Sequence, residues 1–479
     1  MDFRIEYNDN ADITKNVIAD VYTDESLRLL INSSGVMSLR SRDFVKGVVS
    51  YARNKDNRVV GISGLRGTGK TTGFLQAIYK LGYNKCAYMV INPNKDVTCR
   101  DIYNLVMGEL SSYRYIFIDE ITRVKDFILQ SSILYDSITL PTNKKIFIGG
   151  TESLSLVMSY RKGLYHRMVL TSVTFINYGE ARRTIGVSLQ EYIRMGGLYK
   201  ADVFSDINGL YNYVSTSVLD NIVGTMRRNA DIIPILSGVS DSKLMRVIFM
   251  VLYTVTFSKL RYSLNLKRMI DLFDLRGSLY SFIDTDDLIK RRFGIADKDL
   301  ISDGEFSAVL QILMQIGLVI RLENICKAEE YKYFIVNQCM TNVLLRDLVS
   351  VIQESISDNT QLADDDNLNS YILKSSVVAH ALQLANKIGI GAYFYRDKNG
   401  REIDLVFELE SYDDFGDMTL RYYLYEIKMT GDINTAIIKT KWLNDNKVSS
   451  YFSSRGEIAR GTALKSASDF LINMYKYII

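Results

Sequence analysis

A glycine-rich stretch near the start of the chain has the residue types and spacing of a phosphate-binding loop. The pattern G-x-x-x-x-G-K-[ST] is met by Gly64-Leu65-Arg66-Gly67-Thr68-Gly69-Lys70-Thr71. Backbone amides of such a loop surround a pyrophosphate, its lysine reaches the outer phosphates and its last hydroxyl ligates Mg²⁺. The pattern therefore predicts ATP and Mg²⁺ as ligands, bound by Gly64, Arg66, Gly67, Thr68, Gly69, Lys70, Thr71 and the adjoining Thr72.

Short runs on either side of this loop predict the strand and the helix that it requires. Arg58 to Ser63 is a short β-branched run, which is typical of a buried strand. From Thr72 to Leu81 the apolar residues recur at helical spacing. This context favours a nucleotide-binding loop over a glycine-rich turn that merely precedes a helix.

An acidic pair follows at the end of a later predicted strand. Cys86 to Asn92 is predicted to be a strand, Val97 to Leu110 a helix and Tyr115 to Asp119 another strand, an alternation typical of a parallel α/β sheet. We expect Asp119 to support the hydration shell of Mg²⁺ and Glu120 to polarise the attacking water, as in a Walker B segment. The alternative is an ordinary acidic pair at a strand end.

Two further positions suit phosphate chemistry. A predicted strand over Lys145 to Ile148 leads to Thr151, a candidate γ-phosphate sensor or the N-cap of a helix over Ser153 to Met158, and the two roles are compatible. Arg167 and Arg161 are candidates for an arginine finger that acts in cis or from a neighbouring subunit of an oligomer. Either arginine alone is also typical of a solvated surface.

The composition is that of an ordinary soluble globular protein. The chain has 479 residues, of which 47% are hydrophobic and 24% charged, which leaves room for about three domains. Its formal net charge of +3 means that any nucleic acid must be bound by local patches. Four cysteines without a C-x-x-C pair and two histidines argue against a zinc site and favour a reducing cytoplasm. The absence of an export signal and of a long apolar run predicts no membrane partner.

The middle of the chain is predicted to be helical, with the outline of a winged helix near its end. Phe306 to Ile316 is predicted to be a helix, followed by strands over Leu318 to Leu322 and Tyr331 to Val336. A winged helix usually reads DNA with its second helix, but this helix lacks lysine and arginine, which favours a structural or protein-contacting role. Lys267-Arg268 and Lys290-Arg291-Arg292 are the basic candidates for DNA contact, or solvated helix faces.

Three charged residues near the end of the chain have the order of a metal-dependent phosphodiesterase site. Glu402 to Phe407 and Tyr422 to Lys428 are predicted strands, and the second ends in E-x-K. Because side chains alternate along a strand, Glu426 and Lys428 share one face. Asp404 and Glu426 are candidate ligands of a divalent cation, and Lys428 is the candidate activator of its water. The alternative is a set of charged residues on the outer face of a sheet.

These segments together resemble one known family. Archaeal-type AAA-like P-loop ATPases with a C-terminal restriction-endonuclease-like domain (domain of unknown function 4143) favour the loop form G-x-R-x-x-G-K-T-T, which this chain matches at Arg66 and Thr72. They also have a D-E-I segment, like Asp119-Glu120-Ile121, and a T-G-S segment where this chain has Gly149-Gly150-Thr151. Their G-R pair before a strand and their F-x-x-x-E corner are similar to Arg167 and to the stretch Phe175 to Glu180.

The resemblance implies an α/β fold class with a P-loop NTPase parallel sheet and two further modules. It implies an N-terminal segment at 1–40, an AAA-like P-loop ATPase domain at 41–185, a helical and winged-helix domain at 186–345 and a PD-(D/E)xK nuclease-like domain at 346–479. The family's helix glutamate has no counterpart in Lys374 to His380, where His380 is either a substitute or a packing residue.

Three functions are compatible with these features. The preferred one is an ATPase that couples ATP hydrolysis to the winged-helix and nuclease-like modules and acts on DNA. A second is a nucleotide-switched assembly factor with protein partners and a degenerate nuclease domain. A third is an ATP-regulated, metal-dependent nuclease in defence or in a mobile element.

Overall fold

The structure is a computed structural model that describes most of the chain in several ranges. These are residues 14–15, 18–195, 197–198, 213–214, 219–228, 234–241, 244, 247–248, 251–252, 303–337, 340, 365–396, 402–412, 418–425, 427 and 450–452. Four of the sequence predictions lie outside the described residues, namely Glu426, Lys428, Lys267-Arg268 and Lys290-Arg291-Arg292.

The N-terminal part of the chain is built on a mostly parallel sheet. Its strands are β1 (Thr14–Lys15), β2 (Ala19–Thr23), β3 (Val59–Ser63), β4 (Cys86–Ile91), β5 (Tyr115–Asp119), β6 (Lys145–Gly149) and β7 (Met168–Ser172). Their order is β1-β2-β4-β5-β6-β3-β7, and all neighbours from β4 to β7 run parallel. The α/β parallel sheet predicted from the sequence is confirmed, and β6 lies between the loop strand β3 and the acidic strand β5.

Both faces of this sheet are covered, since its central strands β3, β5 and β6 are buried at every position. Ile116 and Ile118 of β5 pack on one face, and Phe117 packs on the other. Phe117 stacks on Phe147 of β6 with ring centroids 4.5 Å apart and meets Phe74 edge-on at 5.5 Å. This aromatic layer joins the helix after the phosphate-binding loop to β5, which leads to the acidic pair, and to β6.

Helices alternate with the strands of this part of the chain, and the three predicted from Thr72, Val97 and Ser153 begin within two residues of those positions. The helices are α1 (Asp24–Ser33), α2 (Asp43–Arg53), α3 (Lys70–Leu81), α4 (Cys99–Met107), α5 (Phe127–Gln130), α6 (Leu140–Thr142), α7 (Ser153–Arg161), α8 (Tyr178–Thr184) and α9 (Leu189–Met195). The predicted helix over Val97 to Leu110 is shorter at both ends. Thr98 caps it by accepting a hydrogen bond from the Asp101 amide, and Gly108 ends it.

A second sheet contains strands from both sides of the predicted boundary at residue 345. After α10 (Asp220–Arg228) and α11 (Asp303–Gln315) come β8 (Val319–Asn324), β9 (Lys327–Ile335), α12 (Asp365–Ile388), β10 (Gly391–Arg396), β11 (Glu402–Tyr412), β12 (Met418–Tyr425) and β13 (Ser450–Phe452). The order is β13-β12-β11-β10-β8-β9, with β8 parallel to β10. The hairpin that suggested a winged helix is thus hydrogen-bonded into the C-terminal sheet.

The chain after β7 shares a hydrophobic cluster with the second sheet and with α12. It contains Ile176, Tyr178 and Tyr192 from the end of the first part, together with Val377 and Val378 of α12. The Tyr192 hydroxyl donates to the Ile176 carbonyl at 2.7 Å and lies 2.9 Å from Nε2 of His380. His380 is buried, and burial lowers its pKa to about 4, so it packs as a neutral side chain.

Candidate nucleotide-binding site

The phosphate-binding loop connects β3 to α3, as its sequence context predicts. Gly69 is the N-cap of α3 with φ of +83°, and Gly67 has φ of +81°, a region that favours glycine. Gly64 lies so close to the backbone of Val173 that a Cβ at this position would be 2.3 Å from the carbonyl oxygen of Val173. The glycine spacing therefore reflects the tight path of the loop around the helix N-terminus.

Lys70 is buried within its own loop. Its ammonium donates to the carbonyl oxygens of Gly64 at 2.6 Å and Leu65 at 2.9 Å. Burial lowers the pKa of Lys70 to about 8, although Asp119 and Glu120 oppose that shift. The cation is thus partly desolvated, a state in which an approaching phosphate interacts strongly with it.

Asp119 ends β5 beside the loop, and neutral hydroxyls surround it. The Thr71 hydroxyl donates to its Oδ2 at 2.6 Å, and the Tyr88 hydroxyl donates to the same oxygen at 3.0 Å. Burial and the neighbouring Glu120 raise the pKa of Asp119. A hydroxyl and a carboxylate oxygen in contact are the kind of donor pair that Mg²⁺ prefers.

Glu120 and Thr151 meet at the carboxyl edge of the sheet. Glu120 has φ of +56°, an uncommon conformation for a residue other than glycine. The Thr151 hydroxyl donates to Glu120 Oε2 at 3.0 Å, and Arg123 Nε lies 3.4 Å from the same oxygen. The N-cap of α7 is Glu152, so the alternative prediction that Thr151 caps this helix is wrong.

Arg167 lies at the other end of the sheet from the loop. It precedes β7, its carbonyl accepts a hydrogen bond from the Val59 amide at the start of β3, and β3 and β7 run parallel. Gly64 follows the last residue of β3, so a strand length of roughly 16 Å separates the two positions. An arginine finger in cis is therefore ruled out for Arg167, whose guanidinium lies 2.9 Å from Asp136.

Several residues that contact the loop were not predicted from the sequence. The Ser153 hydroxyl accepts a hydrogen bond from the Gly64 amide at 2.9 Å. The Tyr213 hydroxyl donates to the carbonyl of Arg66 at 2.8 Å, and the side chain of Arg66 is exposed. Arg42 donates to the carbonyl of Thr68 at 2.5 Å. No local motif marks these residues, although Ser153 opens the helix after the predicted sensor.

The C-terminal candidate site has a different character, because ammonium and guanidinium groups surround its carboxylates. Asp404 is buried, forms an ion pair with Lys374 of α12 and accepts a hydrogen bond from the Ile427 amide at 2.9 Å. Glu402 forms an ion pair with Lys332 and accepts a hydrogen bond from Arg396 Nε at 2.9 Å. Burial alone would raise the pKa of Glu402, but Lys332 and Lys374 hold it below its ordinary value. In the described ranges no three His, Cys, Asp or Glu side chains are grouped to hold a metal ion.

The fold and the site define the N-terminal part of the chain as a P-loop nucleotide-binding domain. Residues 56–181 match the model of a family described as the AAA domain. No curated protein matches the chain. Of the helices that the structure describes, none is long and apolar enough to cross a membrane.

Two solved structures are similar to this chain at a low level. One is the Aeropyrum pernix ORC1 protein in complex with DNA, with 13% identity and a TM-score of 0.25 over 65% of this chain and 93% of that one. The other is the Hsp104-ADP complex of S. cerevisiae, with 13% identity and a TM-score of 0.28 over 89% of this chain and 67% of that one. Similarity of this size carries no argument about the fold or the function of this chain.

Proposed function

We propose that the chain is an ATPase whose hydrolysis cycle acts on its C-terminal module, with DNA as the target. The observation that carries the proposal is the contact of Thr71 with Asp119 beside the contact of Thr151 with Glu120. These two pairs bring the predicted metal ligands, water-activating group and sensor to one edge of one sheet.

The loop residues bind and orient the phosphates. The backbone amides from Gly64 to Thr71 and the N-terminus of α3 present positive charge to the phosphate oxygens. Lys70 already faces the loop interior, and it reaches a phosphate by exchanging one of its two carbonyl acceptors for a phosphate oxygen. Arg66 and Thr72 flank these groups and complete the predicted contact set.

Thr71 and Asp119 would hold the Mg²⁺ that accompanies ATP. When bound, this ion neutralises charge on the phosphate oxygens. The Thr71 hydroxyl oxygen would ligate the ion, and Asp119 would support its hydration shell. The hydroxyl of Tyr88 fixes the orientation of the Asp119 carboxylate from the other side.

Glu120 activates the attacking water, and Thr151 holds its carboxylate. As the water oxygen forms a bond to the γ-phosphorus, the bond from that phosphorus to the β–γ bridging oxygen breaks, and the water proton passes to Glu120. The products are ADP and inorganic phosphate. Arg161 or Arg167 of a neighbouring subunit remains our candidate finger for the transferred phosphoryl group, which requires an oligomer.

Phosphate release from ATP by the purified chain tests this proposal. We expect Mg²⁺-dependent turnover in the wild type and its loss in Lys70→Ala. Glu120→Gln should bind ATP but turn it over at most about one-hundredth as fast, because a general base contributes at least that factor. Arg58→Gln is the matched control, since its exposed ion pair with Asp56 lies away from the loop. Turnover by the wild type that is unchanged in Lys70→Ala would refute the proposal.

The shared hydrophobic cluster supports coupling of the nucleotide site to the C-terminal module. The chain leaves β7 and packs Ile176, Tyr178 and Tyr192 directly against α12. Filter binding of duplex and single-stranded DNA, with and without ATP, tests the target. We expect ATP to increase DNA retention by the wild type but not by Lys70→Ala. No retention under any condition would exclude DNA.

A degenerate nuclease domain in a nucleotide-switched assembly factor is our second candidate function. The ion pair between Lys374 and Asp404 favours it, because an ammonium group takes the carboxylate oxygen that a metal would need. Under this alternative, Glu120→Gln locks a protein complex, and neither Mg²⁺ nor Mn²⁺ supports DNA cleavage. Cleavage that Asp404→Ala abolishes would instead establish the third function, an ATP-regulated nuclease.

A further inference from the structure

A buried ion pair joins the segment before α2 to helix α8. Arg42 is 5% exposed and Glu180 is 4% exposed. Nε and Nη2 of Arg42 donate to Oε1 and Oε2 of Glu180 at 3.1 and 2.9 Å, which is the bidentate geometry that an arginine and a carboxylate prefer. Glu180 Oε1 also accepts the amide hydrogen of Asp43 at 2.9 Å. The guanidinium is therefore held rigidly from one side.

The remaining nitrogen of this guanidinium faces the phosphate-binding loop. Nη1 of Arg42 donates to the carbonyl oxygen of Thr68 at 2.5 Å and to that of Thr174 at 3.0 Å. Thr68 precedes Gly69, the N-cap of α3. One charged group thus connects the loop, the segment after β7 and the start of α8.

Peptide planarity gives this contact a consequence for phosphate binding. The carbonyl of Thr68 and the amide hydrogen of Gly69 belong to one trans peptide unit, so they point in opposite directions. When Arg42 holds the carbonyl on the outside of the loop, the Gly69 amide hydrogen is aimed at the inside, where loop amides meet phosphate oxygens. Gly69, with φ of +83°, has the backbone freedom to turn that peptide if nothing holds it.

Stability alone is a weak explanation of this ion pair. Burying two charges is costly, and apolar residues of similar size often fill such a site equally well. An apolar pair, however, cannot hold the Thr68 carbonyl. The distinguishing property of the pair is its directed donor on the loop backbone.

We propose that Arg42 and Glu180 are positioning residues for nucleotide binding: Arg42 orients the peptide between Thr68 and Gly69, and Glu180 orients Arg42. This inference rests on the proposed ATPase function, and it adds two residues that contact no phosphate themselves. Because the aligned amide serves the bound phosphates in both the ground state and the transition state, its loss weakens binding more than turnover.

The double variant Arg42→Met/Glu180→Met tests the proposal, because it removes the directed donor and leaves no unpaired buried charge. We expect its KM for MgATP to rise about tenfold, the size of one lost charge-linked hydrogen bond, with kcat within about twofold of the wild type. A fluorescent ATP analogue should show the same loss of affinity in direct titration. Arg183→Gln is the matched control, since the exposed pair of Arg183 with Asp43 joins the same two segments.

Arg42→Lys keeps the positive charge and provides a milder second test if the double variant does not fold. One ammonium cannot serve a bidentate carboxylate and two carbonyls, so KM should rise about threefold at unchanged kcat. A folded double variant, or Arg42→Lys, with wild-type KM and wild-type affinity would overturn the inference and leave the ATPase proposal intact. Wild-type protein that binds no ATP would overturn both.

Discussion

Two buried aspartates, Asp119 in the N-terminal sheet and Asp404 in the C-terminal sheet, differ in what faces them. Asp119 accepts hydrogen bonds from the neutral hydroxyls of Thr71 and Tyr88. Asp404 faces the ammonium of Lys374 and the amide of Ile427. Their exposures are nearly equal, at 3% and 4%, so burial alone does not distinguish the two sites.

The difference shows that the partner of a carboxylate decides what else it can bind. Hydroxyl donors bring no positive charge into contact with Asp119, and burial together with Glu120 raises its pKa although Lys70 opposes the shift. A divalent cation beside Asp119 would compensate its negative charge. Around Asp404 and Glu402 the cations are built into the protein, as Lys332, Lys374 and Arg396, and a metal would have to displace one of them.

The largest effect should be on ATP turnover, which we expect to depend on Asp119 and not on Asp404. Asp119→Asn removes the negative charge that supports Mg²⁺, so we expect ATP turnover to fall by about a hundredfold or more. Asp404→Asn should leave turnover within about twofold of the wild type. Steady-state phosphate release from both variants measures this contrast, which would fail if the two losses were equal.

The second-largest effect should be on stability, where we expect Asp404→Asn to cost more than Asp119→Asn. Asp404→Asn removes the charge of the carboxylate nearest to Lys374, whose longer contact with Glu402 at 3.6 Å remains. Because the Lys374 side chain is 29% exposed, water screens part of the loss, and we expect unfolding to become easier by about 2 kcal/mol. Asp119→Asn should cost little, because burial already disfavours the ionised form of Asp119. Denaturant unfolding of the full chain measures both changes. Asp136→Asn, in an exposed pair with Arg167, is the control and should change stability by under about 0.5 kcal/mol.

A smaller effect should come from Thr151, which supports Glu120 through one hydrogen bond. Thr151→Val keeps the shape but removes the hydroxyl, and we expect kcat to fall about tenfold with KM unchanged. Thr151→Ser keeps the hydroxyl and should retain most of the activity. A Thr151→Val variant with full kcat would show that the contact at 3.0 Å does not serve turnover.

The smallest effect should be a pH dependence that is confined to the N-terminal site. Burial places the pKa of Lys70 at about 8, and a bound phosphate raises it. Because binding raises this pKa, MgATP affinity is fully present below pH 8 and decreases severalfold as the pH rises through about 8 and above. Titration of nucleotide affinity between pH 7 and 9.5 measures the decrease. The residual affinity of Lys70→Met should be flat over the same range, and a slope there would assign the effect to another group.

Much of the N-terminal fold was predictable because its signals are local. The β-branched run before Gly64 and the helical spacing after Lys70 gave β3 and α3 nearly at their observed bounds. The apolar runs that end at Asp119 and before Thr151 likewise gave β5 and β6. In a parallel sheet the residues after such strands gather at one edge, so the proximity of Thr71, Asp119, Glu120 and Thr151 follows from the pattern.

The C-terminal part was less predictable because its contacts join distant segments. The hairpin at Val319–Ile335 suggested a separate winged helix, yet β8 pairs with β10 across a long stretch of intervening chain. Nothing near Asp404 of β11 in the sequence indicates that Lys374 of α12 would pair with it. The spacing of residues within one segment gives little indication of which charged residues from distant segments meet after folding.

The sequence by itself determined the nucleotide loop, the order of its strands along the chain and the residue types that meet at its edge. These features depend on hydrogen bonds and side-chain spacing within short segments. Only the tertiary structure decided that Glu180 pairs with Arg42 against the carbonyl of Thr68 and that Lys374 pairs with Asp404. Those outcomes depend on which strands and helices pack together. A charge that this packing buries is stable only when an opposite charge or a hydrogen-bond partner lies beside it.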